Sequence, residues 1–111
     1  METITVAQKQ NIPIGQMKGF TIGDKQILIA NVEGTYYAMD AVCSHMNGYL
    51  PKGTLNHTIV ICPVHRAQYD VTTGKVQKNV NALLRLSTGK GATDLNTYPV
   101  VVEGDEIKIR I

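Results

Sequence analysis

Residues 43–45 read Cys-Ser-His and residues 62–65 read Cys-Pro-Val-His. The two runs contain both cysteines of the chain and two of its three histidines, with sixteen residues between His45 and Cys62. A thiolate is a soft ligand suited to zinc, copper(I) and iron–sulfur clusters, and imidazole suits zinc, copper and iron. A Cys and a His on each of two tight loops therefore point at one metal centre. Buried cysteines are often no more than small apolar residues. That reading accounts poorly for four such residues together, flanked by Gly and Pro turns, each run following an apolar strand. Structural zinc sites place Cys-x-x-Cys first and a His pair later. Here each loop carries one Cys and one His, the set required when two His replace two Cys on one iron of a 2Fe–2S cluster.

The rest of the chain supplies a β scaffold. Thr3–Ala7 alternates and is rich in β-branched residues, so it predicts a first strand, followed by a loop broken by Pro13 and Gly15. Lys18–Ile22, Gln26–Val32 and Thr35–Met39, separated by Gly23 and by Glu33-Gly34, form a predicted β-meander that leads into Cys43. Thr58–Ile61 is an apolar strand ending at Cys62. Gln68–Val71 follows His65, and after Thr72-Thr73-Gly74-Lys75 the chain returns from Val76. Leu95–Val102 and Glu106–Ile111 close the chain, and Pro99 predicts an edge position or a bulge in the first of them. Asn79–Thr93 has no readable pattern. About ten short strands with turns every eight to twelve residues predict an all-β barrel or sandwich.

Composition limits the function. With 111 residues, 43% of them hydrophobic, the chain fits one compact domain. A net charge of +2 with scattered Lys and Arg gives no nucleic-acid surface. The first fifteen residues have no secretory pattern, and no apolar run approaches the roughly 18 residues of a membrane span. A cytoplasmic protein is expected, in which reducing conditions favour metal binding by Cys43 and Cys62 over a disulfide. There is no Gly-rich dinucleotide fingerprint. There is also no length for a further mononuclear iron domain of the two-His, one-carboxylate kind.

Cys43-Ser44-His45 with Cys62-Pro63-Val64-His65 resembles the paired motif of Rieske-type 2Fe–2S ferredoxins. The similarity continues through Ala67-Gln68-Tyr69-Asp70, Thr73-Gly74-Lys75-Val76, Tyr37-Ala38-Met39-Asp40 and Tyr98-Pro99-Val100. The resemblance implies a small antiparallel β-fold whose base carries an inserted cluster-binding subdomain, approximately residues 40–80. It implies one 2Fe–2S cluster, with Cys43 and Cys62 on the inner iron and His45 and His65 on the outer. Respiratory-complex relatives carry two extra cysteines, and the matching positions are Gly48 and Val64, so that clamp is absent. Their serine near a bridging sulfide is Ala67 here. Their tyrosine is Tyr69, expected either to donate toward the sulfur of Cys43 or simply to pack under the loop. Met46 and Tyr49 on the first loop, with Pro63 and Val64 on the second, are expected to shield the cluster. Arg66 stands where most relatives have Gly, which suggests a backbone with no need of positive φ. A cation there would raise the potential or steer an acidic partner, or serve nothing. His57 fits no ligand spacing and reads as a surface turn residue.

The resemblance implies a monomeric one-electron carrier between a reductase and an oxygenase or other acceptor, without catalysis of its own. The alternatives are a small Rieske subunit of a nitrite reductase-like complex and a zinc-binding structural module.

Overall fold

A computed structural model describes residues 3–43, 48–64, 66–78 and 93–111. Eleven strands are found there, all pairing antiparallel, with two single-turn 3-10 segments and no α-helix among the described residues. In chain order they are β1 (Thr3–Gln8), β2 (Met17–Ile22), β3 (Lys25–Val32), β4 (Thr35–Asp40), β5 (Thr54–Asn56), β6 (Ile59–Ile61), β7 (Gln68–Asp70), β8 (Val76–Lys78), β9 (Thr97–Tyr98), β10 (Val100–Glu103) and β11 (Glu106–Arg110). They form three sheets, ordered β1-β11-β10, β2-β3-β4-β9 and β5-β6-β7-β8.

The central strand β3 explains how the layers join. Its run Ile27-Leu28-Ile29-Ala30 is fully buried, and side chains alternate across a strand. Ile27 and Ile29 enter a core with Ala7, Ile12, Tyr36, Ala38, Ile107 and Ile109. Leu28 and Ala30 enter a second core with Met39, Ala41, Leu50, Val60, Ala67, Tyr69, Val71 and both cysteines. One strand thus anchors the base sheet on one face and the cysteine-bearing region on the other. The meander β2-β3-β4 is as the sequence predicts, and its second turn has positive φ at both Glu33 (53°) and Gly34 (94°), the geometry of a type I′ hairpin.

Two features differ from the sequence reading. Leu95–Val102 is not one strand. Pro99 interrupts it, so that β9 pairs with β4 while β10 pairs with β11 in another sheet. Proline has no N–H to continue a ladder, and its carbonyl accepts from Arg110 N–H at 3.0 Å. The three-residue β5 was hidden in turn-like composition, and its pairing with β6 supplies what its own sequence does not signal. Asn79–Ala92 lies outside the described residues.

The chain's passage from the base into the first loop is fixed at Asp40, the last residue of β4. Its Oδ1 accepts from the Tyr98 hydroxyl at 2.6 Å and its Oδ2 from Asn96 N–H at 3.1 Å, while its own N–H donates to the Asn96 carbonyl at 3.0 Å. Burial, then the hydrogen bond and the charge of Asp40, push the Tyr98 phenol up to about 12. The folded state therefore holds this proton more tightly than the unfolded chain, whose tyrosine titrates near the ordinary value of about 10. The stability it contributes is fully present below about pH 10 and is lost as pH rises through about 12. Thermal midpoints measured between pH 8 and pH 12 are expected to fall more steeply for the native chain than for Tyr98→Phe. Parallel curves would remove Tyr98 from the alkaline transition.

Candidate metal centre

Both cysteines sit at the start of equivalent loops. The Cys43 N–H donates to the Gly48 carbonyl at 2.7 Å, and the Cys62 N–H donates to the Ala67 carbonyl at 2.8 Å, in each case five residues on. Ladder contacts continue below each closure. In the first loop Val42 bridges Tyr49 and the Leu50 N–H donates to the Ala41 carbonyl at 2.8 Å. Below the second, Ile61 pairs with Gln68 between β6 and β7. Each loop is thus the tip of a hairpin, and hairpin pairing holds its cysteine backbone in place.

The two tips touch. A Cβ built on Gly48 would lie 2.7 Å from the Sγ of Cys62 and 2.8 Å from the Cγ2 of Val64. Glycine at 48 is required by this close approach. The same imaginary Cβ is 3.5 Å from the Cβ of Val64, within the span a disulfide uses. The two positions at which the resemblance puts a clamp are therefore neighbours, occupied here by residues that cannot form one. Cys43 and Cys62 are both fully buried and form no disulfide.

The Tyr69 hydroxyl lies 3.0 Å from the Sγ of Cys43, and the ring is fully buried in the same core. Of the two roles weighed for Tyr69, the structure shows both together: it packs under the loop and reaches the sulfur. Ala67 presents only a buried methyl beside it.

The other site residues fall differently. His45, Met46 and His65 lie outside the described residues. Pro63 and Val64 lie on the outer side of the second loop, with Val64 49% exposed. Tyr49 directs its hydroxyl onto Gly19 of β2, beside Pro51, so its ring secures the first loop to the base. His57 is an exposed turn residue with φ 59°. Its Nδ1 lies 3.8 Å from Glu33 Oε1.

Arg66 overturns one expectation. Its φ is 61°, so the backbone after the second histidine position does adopt the left-handed region, although the residue is not glycine. Closure of the loop imposes this, with the Arg66 N–H donating to the Cys62 carbonyl at 3.1 Å. Holding a side chain in that region costs about 1 kcal/mol relative to glycine.

Two buried thiols on touching loops, with a hydroxyl on one sulfur and a glycine where the other leaves no room for a Cβ, fit a metal cluster that takes thiolate ligands. The Rieske [2Fe-2S] domain model matches residues 2–99. The chain belongs to the Rieske [2Fe-2S] domain family. A Rieske domain carries a single 2Fe–2S cluster, which sets aside the zinc module. The ferredoxin component of a naphthalene 1,2-dioxygenase/salicylate 5-hydroxylase system from Ralstonia sp is 32% identical over 108 residues, covering 97% of this chain and 94% of the relative. The ferredoxin component of biphenyl 2,3-dioxygenase from Rhodococcus jostii (strain RHA1) is 30% identical over 109 residues, covering 98% and 92%. Among solved structures, the ferredoxin of carbazole 1,9a-dioxygenase from Nocardioides aromaticivorans IC177 superposes with a TM-score of 0.82 at 24% identity, over 98% of this chain and 97% of that one. At that identity the likeness speaks for the fold.

Proposed function

We propose that this Rieske chain is a one-electron carrier whose cluster is held by Cys43, His45, Cys62 and His65, and that it takes electrons from a reductase and passes them to an oxygenase. The observation that carries this reading is the pair of equivalent hairpin tips, each presenting a fully buried cysteine. Near full-length similarity to ferredoxin components of dioxygenase systems supports the oxygenase as acceptor. The absence of a dinucleotide fingerprint in the sequence supports a separate reductase as donor. We further propose a single Rieske domain over residues 1–111, with its cluster-binding part approximately at 40–80, acting as a monomer in the cytoplasm. Among the described residues no helix is long and apolar enough to cross a membrane.

A 2Fe–2S cluster held there accepts and returns one electron at a time. The residues of the chain set its surroundings. Cys43 and Cys62 would hold one iron through their thiolates, while Leu50, Val60 and Ala67 keep water from the sulfurs. With Cys43 held as a thiolate, the Tyr69 hydroxyl would be the donor in their 3.0 Å contact. Such a bond stabilises the more negative reduced state and raises the potential. Ala67 offers no second hydroxyl, which supports a potential in the lower part of the Rieske range, toward about −150 mV.

Redox titration followed by EPR tests the reading. A potential near the low end is expected, and one near about +300 mV would overturn the assignment to the oxygenase-associated type. Tyr69→Phe should keep the cluster and lower the potential by tens of millivolts. A hydrogen bond favouring the reduced state by about 1 kcal/mol corresponds to about 40 mV for one electron. An unchanged potential would leave Tyr69 a packing role only.

A further inference from the structure

Beside the second loop runs an open groove of about 480 Å³, lined among others by Lys52, Thr54, Cys62, Arg66, Gln68 and Lys78. It crosses one end of the β5–β8 sheet, where Thr54, Ile61, Gln68 and Lys78 pair in a single cross-strand row, and Cys62 follows directly on Ile61. Among the described residues three cations line it and no carboxylate does. Among the described residues, Lys52, Arg66 and Lys78 form no ion pair or side-chain hydrogen bond, and all three are exposed. The nearest acidic residue on these strands, Asp70, pairs with Ile59 at the opposite end and spends its Oδ1 on the N–H and hydroxyl of Thr72.

Arg66 makes the groove more than a chance cluster. Glycine would hold φ 61° without strain, yet the position carries an arginine, which lines the groove along with the buried Cys62. Three unpaired cations, one kept at the expense of backbone comfort, border the loop through which an electron would leave.

We propose that this groove is the docking site for an acidic patch on a redox partner protein, with Lys52, Arg66 and Lys78 as its contacts. The inference rests on the carrier reading above. The spread of charge decides for a protein surface over a small anion. Lys52 precedes β5 and Lys78 lies in β8, and three inter-strand steps of about 4.8 Å put those strands about 14 Å apart. A single phosphate cannot reach both flanks, whereas a row of Asp and Glu side chains can. Opposed charges of this kind act mainly on encounter rate and register, and are screened by salt.

The test uses the oxidised, cluster-containing protein and fluorescent poly-L-glutamate at low salt, with poly-L-lysine and inorganic phosphate as comparison probes. Binding of poly-L-glutamate is expected, weakening steeply as salt rises, with no binding of poly-L-lysine. The Lys52→Gln/Arg66→Gln/Lys78→Gln variant should lose at least about tenfold in affinity, while Lys9→Gln/Lys75→Gln/Arg110→Gln, which removes equal charge elsewhere, should lose less than about twofold. Arg66→Gly should melt higher than the native chain and bind more weakly. In stopped flow, poly-L-glutamate should slow oxidation of the reduced native protein by ferricyanide and leave the first triple variant unaffected. Equal losses in the two triple variants would overturn the proposal, as would displacement of poly-L-glutamate by millimolar phosphate at constant ionic strength. The EPR spectrum and iron content of each variant report separately on the cluster. A protein without a Rieske signal defeats the carrier reading, and a normal signal with unchanged binding defeats only the groove.

Discussion

Gly74→Ala is expected to lower the thermal midpoint by about 12–18 °C, the equivalent of about 3 kcal/mol for a chain of this size. Two costs combine. Gly74 has φ 75°, where a side chain costs about 1–2 kcal/mol. The added Cβ would also overlap the Leu95 carbonyl oxygen and lie 3.0 Å from its carbon and 3.1 Å from the Thr97 Cγ2. Overpacking of this kind costs a further amount of about 1–3 kcal/mol, because the obstacle is backbone and cannot rotate away. The position matters because Gly74 ties two parts of the fold together. Its N–H donates to the Asp70 carbonyl at 2.7 Å and its carbonyl accepts from Leu95 N–H at 2.7 Å. The β7–β8 turn is thereby held against the segment returning to β9. Since β7 carries Tyr69, iron content should fall along with stability. A midpoint within about 2 °C of the native chain would show that Leu95 yields freely and that this tether has little importance.

The second large effect concerns the cluster itself. Cys62→Ala is expected to yield a colourless chain with little bound iron, retaining β-type circular dichroism but melting at lower temperature. Cys62 is fully buried, and the change leaves Cys43 as the one cysteine of the chain, too few thiolates for the proposed set. Losing a ligand that binds only the folded state removes its linked stabilisation, which at 100 times Kd is about 2.7 kcal/mol. Tyr69→Phe is the companion measurement, since it touches the Cys43 sulfur without removing a ligand and should stay coloured. A red-brown, iron-loaded Cys62→Ala protein would contradict the assignment of Cys62.

The parts of the fold that were legible in the sequence are those where one physical signal suffices. The meander could be read because β3 is a continuous apolar run bounded by Gly23 and by Glu33-Gly34, and both cores depend on that strand. The 2Fe–2S cofactor that the family carries could be read from residue chemistry, because thiol and imidazole at short spacing serve few other ends. What escaped depends on contacts between distant segments. Three residues of β5 become a strand only against β6. The switch of sheets at Pro99 is set by two different partners on its two sides. Gly48 stood out only as the place of an absent clamp cysteine, yet its lack of a side chain admits the Cys62 sulfur.

Arg66 shows the same limit in reverse. Residue type alone argued against positive φ, and loop closure by its N–H onto the Cys62 carbonyl overrode that preference. Lys52 and Lys78, twenty-six positions apart in the chain, gave no sign of converging with it until the sheet brought them to one groove.

The most direct test of the account is pulsed EPR of the dithionite-reduced protein, with iron and acid-labile sulfide counted on the same sample. Two irons and two sulfides per chain are predicted, with a low average g-value and hyperfine coupling to two imidazole nitrogens that is lost in His45→Cys and His65→Cys variants. A cluster with no coordinated nitrogen, or a colourless protein holding stoichiometric zinc, would contradict it.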